Sequence, residues 1–99
     1  MKTRISIVVD CSVLLKAHLP DEEGHRKAQN LMRDYTQGTV MLHAPSLITY
    51  EIINACLVIS KMARLQRETA RELMDEILDI ELVREDTDAL KERIFDLAV

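Results

Sequence analysis

Two acidic side chains stand in apolar stretches of the sequence, and they are the first candidates for chemistry. Asp10 follows the apolar run of residues 5–9, and Glu51 is the single charged residue between positions 45 and 60. A carboxylate in apolar surroundings is costly unless it binds a cation or accepts hydrogen bonds. The carboxyl end of a strand is also where open α/β sheets bind their ligands. Asp10 and Glu51 are therefore candidate site residues.

Together the two carboxylates suggest a site for a hard divalent cation, which would offset their mutual repulsion. Proteins hold Mg²⁺ with one or two carboxylates, waters and substrate phosphates. Such sites suit phosphodiester hydrolysis, in which the metal activates a water molecule and stabilises the leaving oxygen. The hydroxyl of Ser12, two residues after Asp10, could orient a bound water or phosphate. It could equally cap a helix, and both roles stay open.

Other chemistries find little support in the sequence. The two glycines cannot form a glycine-rich phosphate loop. The formal charge of −4 argues against holding nucleic acid by bulk electrostatics, but not against an enzyme whose carboxylates bind metal ions. Cys11 and Cys56 lie far apart and are expected to be small core residues in a reducing compartment. Residues without ligand spacing or a clear partner are interpreted as ordinary strand-end or surface residues: His18, His25, His43, Lys16, Lys61, Arg64 and Arg67.

The hydrophobic pattern predicts one α/β domain that positions these side chains. Strands are expected at residues 5–9, 40–43 and 80–83, and helices at 13–19, 21–36, 46–63 and 66–79. A last helix, capped by Asp86 or Thr87, would turn Leu90, Ile94, Leu97 and Ala98 inward. This order of elements predicts a parallel sheet with helices on both faces.

The expected helix boundaries rest on capping residues. Ser12, Asp21 and Ser46 are expected to begin helices, and Gly38 is expected to end one. The helix over residues 46–63 is apolar on nearly every face, so it should lie deep in the fold. That placement would bury Glu51, which shares a helix face with Asn54.

The chain carries no signal peptide and no apolar stretch long enough for a membrane span, which predicts a cytoplasmic protein. Its last residues, Phe-Asp-Leu-Ala-Val, look like the middle of a helix. We therefore expect residues 1–99 to form a single domain that is incomplete at its C-terminus.

The ordered motifs of the chain resemble those of PIN-domain ribonucleases. Val-Val-Asp-Cys-Ser-Val-Leu-Leu-Lys is similar to the opening motif of that family, in which a strand ends in Asp-x-Ser or Asp-Thr-Ser. Leu-Pro-Asp-Glu-Glu, Ala-Pro-Ser-Leu-Ile-Thr-Tyr-Glu-Ile-Ile-Asn-Ala and Ala-Arg-Leu follow in matching order and spacing. The subgroup that the chain looks most like is the VapC-type toxins of prokaryotic toxin–antitoxin pairs.

The resemblance implies a PIN-like three-layer α/β/α domain, here truncated to three strands and about five helices. By resemblance, Asp10 and Glu51 would be the catalytic and metal-binding acids, with Ser12 and Asn54 as supporting polar residues. The implied activity is endonucleolytic cleavage of RNA with Mg²⁺ or Mn²⁺. The implied partners are an RNA substrate, a cognate antitoxin that covers the site, and a second copy of the chain in a homodimer.

The chain departs from the family pattern at its end. The family continues with a Tyr-Asp-Ala-x-Tyr helix, another strand and a Thr-x-Asp acid, which would follow Val99. By resemblance the chain therefore holds half of the acidic site, because the neighbours of Asp96 do not match that motif. The absent strand would pair with residues 5–9, so we expect these residues to form an exposed apolar edge.

Two alternatives come from other functional classes. Because two acids hold a metal poorly, the chain could be a catalytically inactive PIN-like binding module that pairs with an antitoxin or with itself. A phosphoryl-transfer switch or phosphatase on a similar sheet is disfavoured. Those sites carry a second acid beside the strand-end Asp, where this chain has Val9 and Cys11.

Overall fold

A computed structural model describes residues 4–86, 88, 91 and 92 of the chain. Seven elements of alternating type are defined in this part, and they confirm the α/β class expected from the sequence. In chain order they are β1 (Ile5–Val8), α1 (Cys11–His18), α2 (His25–Thr36), β2 (Val40–Pro45), α3 (Ile48–Lys61), α4 (Arg67–Leu78) and β3 (Val83–Glu85).

The three strands form the parallel sheet that the sequence predicts, and their order in it is β1-β2-β3. Val8 of β1 pairs with His43 of β2, and His43 pairs with Val83 of β3. Both crossovers therefore run in the same direction, and right-handed connections of this kind place their helices on one face. In agreement, α1 contacts α2, α3 and α4. The expectation of helices on both faces stays a prediction.

The core lies between this helical layer and the sheet. Val40, Leu42 and Ala44 alternate along β2, and all three are buried. Side chains from three helices pack against the same cluster, the largest being Leu14, Ile48, Ile52 and Ile77. Cys11 and Cys56 are buried, free thiols, which confirms their expected place in the core.

The residues that begin the helices differ from those expected. Asp10, not Ser12, caps α1, because its side chain accepts a hydrogen bond from the Val13 amide. The second helix begins at His25 rather than after Asp21, and it follows Gly24 in the left-handed region (φ 85°). Ser46 does not cap α3, since the capping position is Leu47 and no side chain makes a cap hydrogen bond there. The Ser46 amide instead donates to the Glu85 carbonyl at 2.9 Å and continues the pairing with β3.

The third strand begins later than expected, at Val83 instead of residue 80. The Ile80 amide donates to the Ile77 carbonyl at 3.1 Å and closes the end of α4. Ile80 and Leu82 are partly buried against the core without being in a strand. Their apolar character reflects this packing, which a periodicity argument cannot distinguish from a strand.

The expectation that α3 lies deep in the fold is wrong. Its buried residues form one narrow line facing the core: Ile48, Ile52, Cys56 and Ile59. The opposite side, with the residue before the helix, forms a surface that we call the apolar stripe of α3: Leu47, Tyr50, Ile53, Leu57, Val58 and Met62. These six side chains are 37–68% exposed. An apolar helix surface thus faces outward in the described part of the molecule.

Two helices end in the same hydrogen-bonded turn. After α2, the amides of Gly38 and Thr39 donate to the carbonyls of Tyr35 and Asp34. After α3, the amides of Ala63 and Arg64 donate to the carbonyls of Ser60 and Ile59 in the same pattern. Both are Schellman motifs, in which one residue adopts a left-handed conformation. That residue is Gly38 (φ 79°) in the first and Ala63 (φ 56°) in the second.

The sheet has β1 at one edge, as expected, and Ile5 at its start is 65% exposed. The expectation that all of residues 5–9 form an exposed apolar edge is only partly met, because Val9 is buried in the core. In the portion described, no helix is both long and apolar enough to cross a bilayer. Of the last predicted helix, residues 88, 91 and 92 are described, and they are helical. Thr87, Leu90, Ile94, Leu97 and Ala98 lie outside the described residues, as do Asp96 and Val99.

Candidate functional site

Asp10 connects the end of β1 to the start of α1. Its Oδ1 accepts a hydrogen bond from the Ser12 hydroxyl at 2.7 Å and another from the Val13 amide at 3.1 Å. The carboxylate thus satisfies two donors at the N-terminus of a helix, where negative charge is favourable. Asp10 is a fixed, partly exposed carboxylate at the carboxyl edge of a parallel sheet.

The electrostatic environment of Asp10 favours its ionised form. Partial burial acts to raise the pKa of Asp10, but hydrogen bonds from Ser12 and Val13 outweigh that effect. The positive charge of Lys16 acts in the same direction as the hydrogen bonds. The pKa of Asp10 therefore lies below its ordinary value, and the group is a carboxylate at neutral pH.

The pKa of the buried Cys11 thiol is raised by its surroundings, which include both candidate acids. Burial is the main cause that raises the pKa of Cys11 to about 11, and the charges of Glu51 and Asp10 raise it further. Both carboxylates are therefore within electrostatic reach of one buried side chain at the start of α1. No hydrogen bond joins the two carboxylates to each other in the described structure. Asp10 and Glu51 share a region, while the direct contacts of Asp10 are with Ser12 and Val13.

Glu51 occupies the first turn of α3 and is exposed. The expectation that a deep helix would bury this charge is wrong, because α3 presents only its core-facing line to the interior. An exposed carboxylate keeps its hydration and needs no compensating partner. Asn54, three residues later on the same face, is exposed as well. The case for Glu51 therefore rests on its position near Cys11 and not on burial.

The donors present match a hard cation only in part. Among the residues that the structure describes, no group of three or more His, Cys, Asp or Glu side chains could hold a metal ion. Asp10 and Glu51 offer carboxylate oxygens, which are the ligands that Mg²⁺ uses together with waters and substrate phosphates. Asp10 and Glu51 could thus supply part of the coordination shell of Mg²⁺, and waters, a substrate phosphate or a further side chain would have to supply the rest.

Sequence reasoning missed a second polar pair at the same edge of the sheet. The Nδ1 atom of His43 lies 3.1 Å from Oε1 of Glu85, and His43 is 4% exposed. These residues are 42 positions apart, so no local motif could have connected them. Glu85 ends β3, whereas His43 lies two residues before the end of β2, and the parallel register places the two residues diagonally across from each other.

A groove runs along α1 on the side of α3, and we call it the α1–α3 groove. It has a volume of about 180 Å³, and Ser12 and Lys16 lie along its α1 side. Its floor is apolar, with Leu15, Ala55 and Ile59. The sequence alone gives Lys16 the character of an ordinary surface residue. Its spacing of four residues from Ser12 is the feature of the sequence that puts both side chains on one face of α1.

Comparison with known proteins adds no relative to this description. No family model matches the chain, and no curated protein or solved structure matches it either.

Proposed function

We propose that this protein is a metal-dependent endoribonuclease of the PIN-domain kind, the toxin of a toxin–antitoxin pair acting in the cytoplasm. The observation that carries the proposal is the position of Asp10, an ionised carboxylate fixed at the carboxyl end of β1. Glu51 supports the proposal, because its charge and that of Asp10 both raise the pKa of the Cys11 thiol. The motifs quoted above supply the reaction class and the family.

In this proposal Asp10 and Glu51 hold Mg²⁺ or Mn²⁺, which supplies an activated water and charge stabilisation at the cleaved phosphodiester. The Ser12 hydroxyl fixes the orientation of Asp10 by donating to Oδ1. The Val13 amide donates to the same oxygen, Oδ1, and holds the carboxylate at the start of α1. Asn54 is a polar neighbour of Glu51 on α3 that can contact substrate.

The test is RNA cleavage by the protein in the presence of Mg²⁺, compared with Asp10→Asn and Glu51→Gln. We expect each substitution to reduce the rate by about 100-fold or more, since each removes a charge that stabilises the transition state. Glu68→Gln is the matched control, because Glu68 is also an exposed acid in the first turn of a helix. Equal rates for the wild type and Asp10→Asn would reject the proposal.

The apolar stripe of α3 favours a second candidate, a binding module without catalysis. Six large apolar side chains are exposed on α3 and the residue before it, with Glu51 and Asn54 among them. Exposed apolar surface of this extent is typical of interaction sites. In this reading the stripe pairs with a second copy of the chain or with an antitoxin. The two candidates are compatible if the stripe serves the assembly of an active enzyme.

The binding candidate is tested by sedimentation at increasing protein concentration. Leu57→Asp, in the middle of the stripe, should shift a concentration-dependent dimer toward monomer, because Leu57 is 49% exposed and a charge there opposes burial. Glu72→Ala, an exposed position on α4, is the control. A wild-type monomer at every concentration that also captures no small partner would exclude this candidate.

A further inference from the structure

A second groove lies between α3 and α4, and we call it the α3–α4 groove. Its α3 wall includes Ile53 and Leu57, and its α4 wall includes Arg67, Ala70 and Arg71. On both helices the lining residues recur at i, i+3, i+4 and i+7, which is one side of a helix over two turns. The groove is therefore a trough between two helices, about 10 Å long at 1.5 Å of rise per residue.

The surface of the groove is mainly apolar. Cys56 and Ala70 are small and buried, and they form its base. Ile53 and Leu57 are exposed at its rim, where they belong to the apolar stripe of α3. Small side chains at the base let another element approach closely, and the rim offers apolar surface that would be removed from water on binding. The groove thus extends the exposed stripe of α3 toward α4.

The two walls favour a helix as the occupant. Both walls are helices, so their backbone amides and carbonyls are bonded within each helix. An extended segment between them would find no backbone partners, and unpaired backbone groups removed from water are costly. A helix satisfies its own backbone and presents apolar side chains at the spacing that both walls show.

The α4 side of the groove carries positive charge. Arg67 and Arg71 are exposed and lie one turn apart, an arrangement of like charges that destabilises a helix. Within the described residues no carboxylate lies at ion-pair distance from either guanidinium. The lining residues in this part of the chain include no Asp or Glu, although the net charge is −4. A partner with carboxylates beside its apolar side chains would relieve this repulsion.

We propose that the α3–α4 groove binds an amphipathic α-helix of a partner protein. Its apolar side chains fill the trough, and two of its carboxylates, one turn apart, pair with Arg67 and Arg71. The inference rests on the binding candidate above, because it names the partner of the apolar stripe, and it does not depend on RNA cleavage. A second copy of the chain fits less well. On the described helices only α3 exposes large apolar side chains, and Glu51 is its single acid.

The first experiment titrates the protein with a designed helical peptide of about 16 residues, a length that supports a helix in water. It carries leucines at i, i+3 and i+7 and two glutamates one turn apart beside them; the control peptide has glutamine at both positions. We expect the acidic peptide to shift the methyl NMR signals of Ile53, Leu57 and Met74. It should bind about fivefold more tightly than the control, as for two exposed ion pairs.

The net charge of the protein makes this comparison specific. Because the chain carries a charge of −4, general electrostatic attraction would favour the control peptide. A preference for the acidic peptide must therefore come from a local positive surface. Equal affinity of the two peptides would overturn the charged partner, and the absence of shifts at millimolar peptide would overturn the whole proposal.

A paired substitution tests the two arginines. Arg67→Gln together with Arg71→Gln should abolish the preference between the two peptides, as a double-mutant cycle of interacting charges requires. Arg26→Gln together with Arg33→Gln is the matched control, because both residues are exposed on α2 and outside the groove. A preference that persists without Arg67 and Arg71 would contradict the proposed pairing.

Neighbouring substitutions on α3 separate the groove from the rest of the stripe. Leu57→Asp should abolish binding of the acidic peptide, because Leu57 lines the groove. Val58→Asp should retain most of the binding, since Val58 is 52% exposed but does not line the groove. Equal loss in both variants would assign binding to the stripe as a whole and overturn the groove. Thermal unfolding confirms that the variants are folded.

The failure of this inference is distinguishable from the failure of the proposed functions. A dimer that Leu57→Asp dissociates, and that the acidic peptide leaves intact, would keep the binding candidate and assign the stripe to a second copy of the chain. Shifts of the same methyl signals by an RNA oligonucleotide in metal-free buffer would assign the groove to nucleic acid. Both results would reject the partner helix. Peptide binding that requires Arg67 and Arg71 would support it even if Asp10→Asn leaves RNA cleavage unchanged and rejects the nuclease.

Discussion

The starts of α1 and α3 occupy equivalent places in the fold but are held by different forces. Each helix follows the carboxyl end of one of two paired parallel strands, and each carries a candidate carboxylate. At α1 the carboxylate of Asp10 is itself the cap and accepts two hydrogen bonds. At α3 no side chain caps the helix, and Glu51 is exposed.

The difference follows from helix length and burial. The first helix has only eight residues. It makes few hydrogen bonds of its own, so a capping bond to one of its first amides adds a large share to the total. The third helix has 14 residues and is anchored by Ile48 and Ile52, which are almost completely buried. Asp10 therefore has a structural role at the start of its helix, whereas Glu51 has no capping role at the start of α3.

The largest expected effect tests the anchoring of α3 by packing. Ile52→Ala should lower the free energy of unfolding by about 2–5 kcal/mol, because it removes a fully buried side chain and leaves a cavity. Ile53→Ala, one position away and 37% exposed, should cost much less. Urea unfolding of both variants measures the difference. Similar losses would show that α3 is not held as the burial pattern indicates.

A smaller effect separates the two carboxylates. Asp10→Ala should lower the free energy of unfolding by about 1 kcal/mol through loss of the helix cap, and Asp10→Asn by less, because Asn also caps helices. Glu51→Ala should stay within about 0.5 kcal/mol of the wild type, as for most exposed positions. Urea unfolding measures these free energies. A larger loss for Glu51→Ala than for Asp10→Ala would contradict the view that only Asp10 supports its helix.

The pH dependence of stability should carry the signature of Asp10. Since its pKa in the folded protein lies below the ordinary value of 3.8, the ionised group contributes stability above that value. This contribution is lost as the pH falls through the lowered folded pKa. Between about pH 6 and about pH 3, the wild type should therefore lose more stability than Asp10→Asn. Parallel losses, measured by chemical unfolding at both pH values, would contradict the assignment.

The smallest effect tests whether both carboxylates reach Cys11. Neutralising either one, by Glu51→Gln or Asp10→Asn, should lower the pKa of the Cys11 thiol from its value of about 11. The pH dependence of alkylation reports this pKa, because the thiolate is the reacting form. Each variant is made in a Cys56→Ala background and compared with Cys56→Ala alone, since Cys56 also raises the pKa of Cys11. Glu68→Gln should change nothing. A shift with Asp10→Asn alone would place Glu51 outside the site.

Much of the architecture could be predicted from the sequence because the strands and helices follow their periodicity. The stripe of Ala70, Leu73 and Ile77 predicts α4, and Gly38 marks the end of α2. The site was less predictable. The place of Asp10 after an apolar strand marks it as a candidate, but the sequence cannot decide whether Asp10 or Ser12 caps α1, because both residue types favour that position.

The exposure of Glu51 could not be predicted, because burial depends on which neighbours cover a helix. An apolar sequence on every face indicates a covered helix, yet α3 has covering elements on one side in the described structure. The His43–Glu85 pair and the Arg64 ion pairs join residues 42 and 43 positions apart. Such contacts arise from strand pairing and loop closure, which leave no local pattern in a single sequence.

The turn after α3 has a consequence for motion in the native state. Ala63 adopts a left-handed conformation (φ 56°) where the equivalent turn after α2 has Gly38 (φ 79°), and this conformation is costly for any residue with a Cβ. Local opening should therefore be easier after α3, and the amides of Ala63 and Arg64 should exchange with solvent faster than those of Gly38 and Thr39. Because Arg64 also ties down the loop at the end of the α1–α3 groove, each such opening would transiently widen that groove.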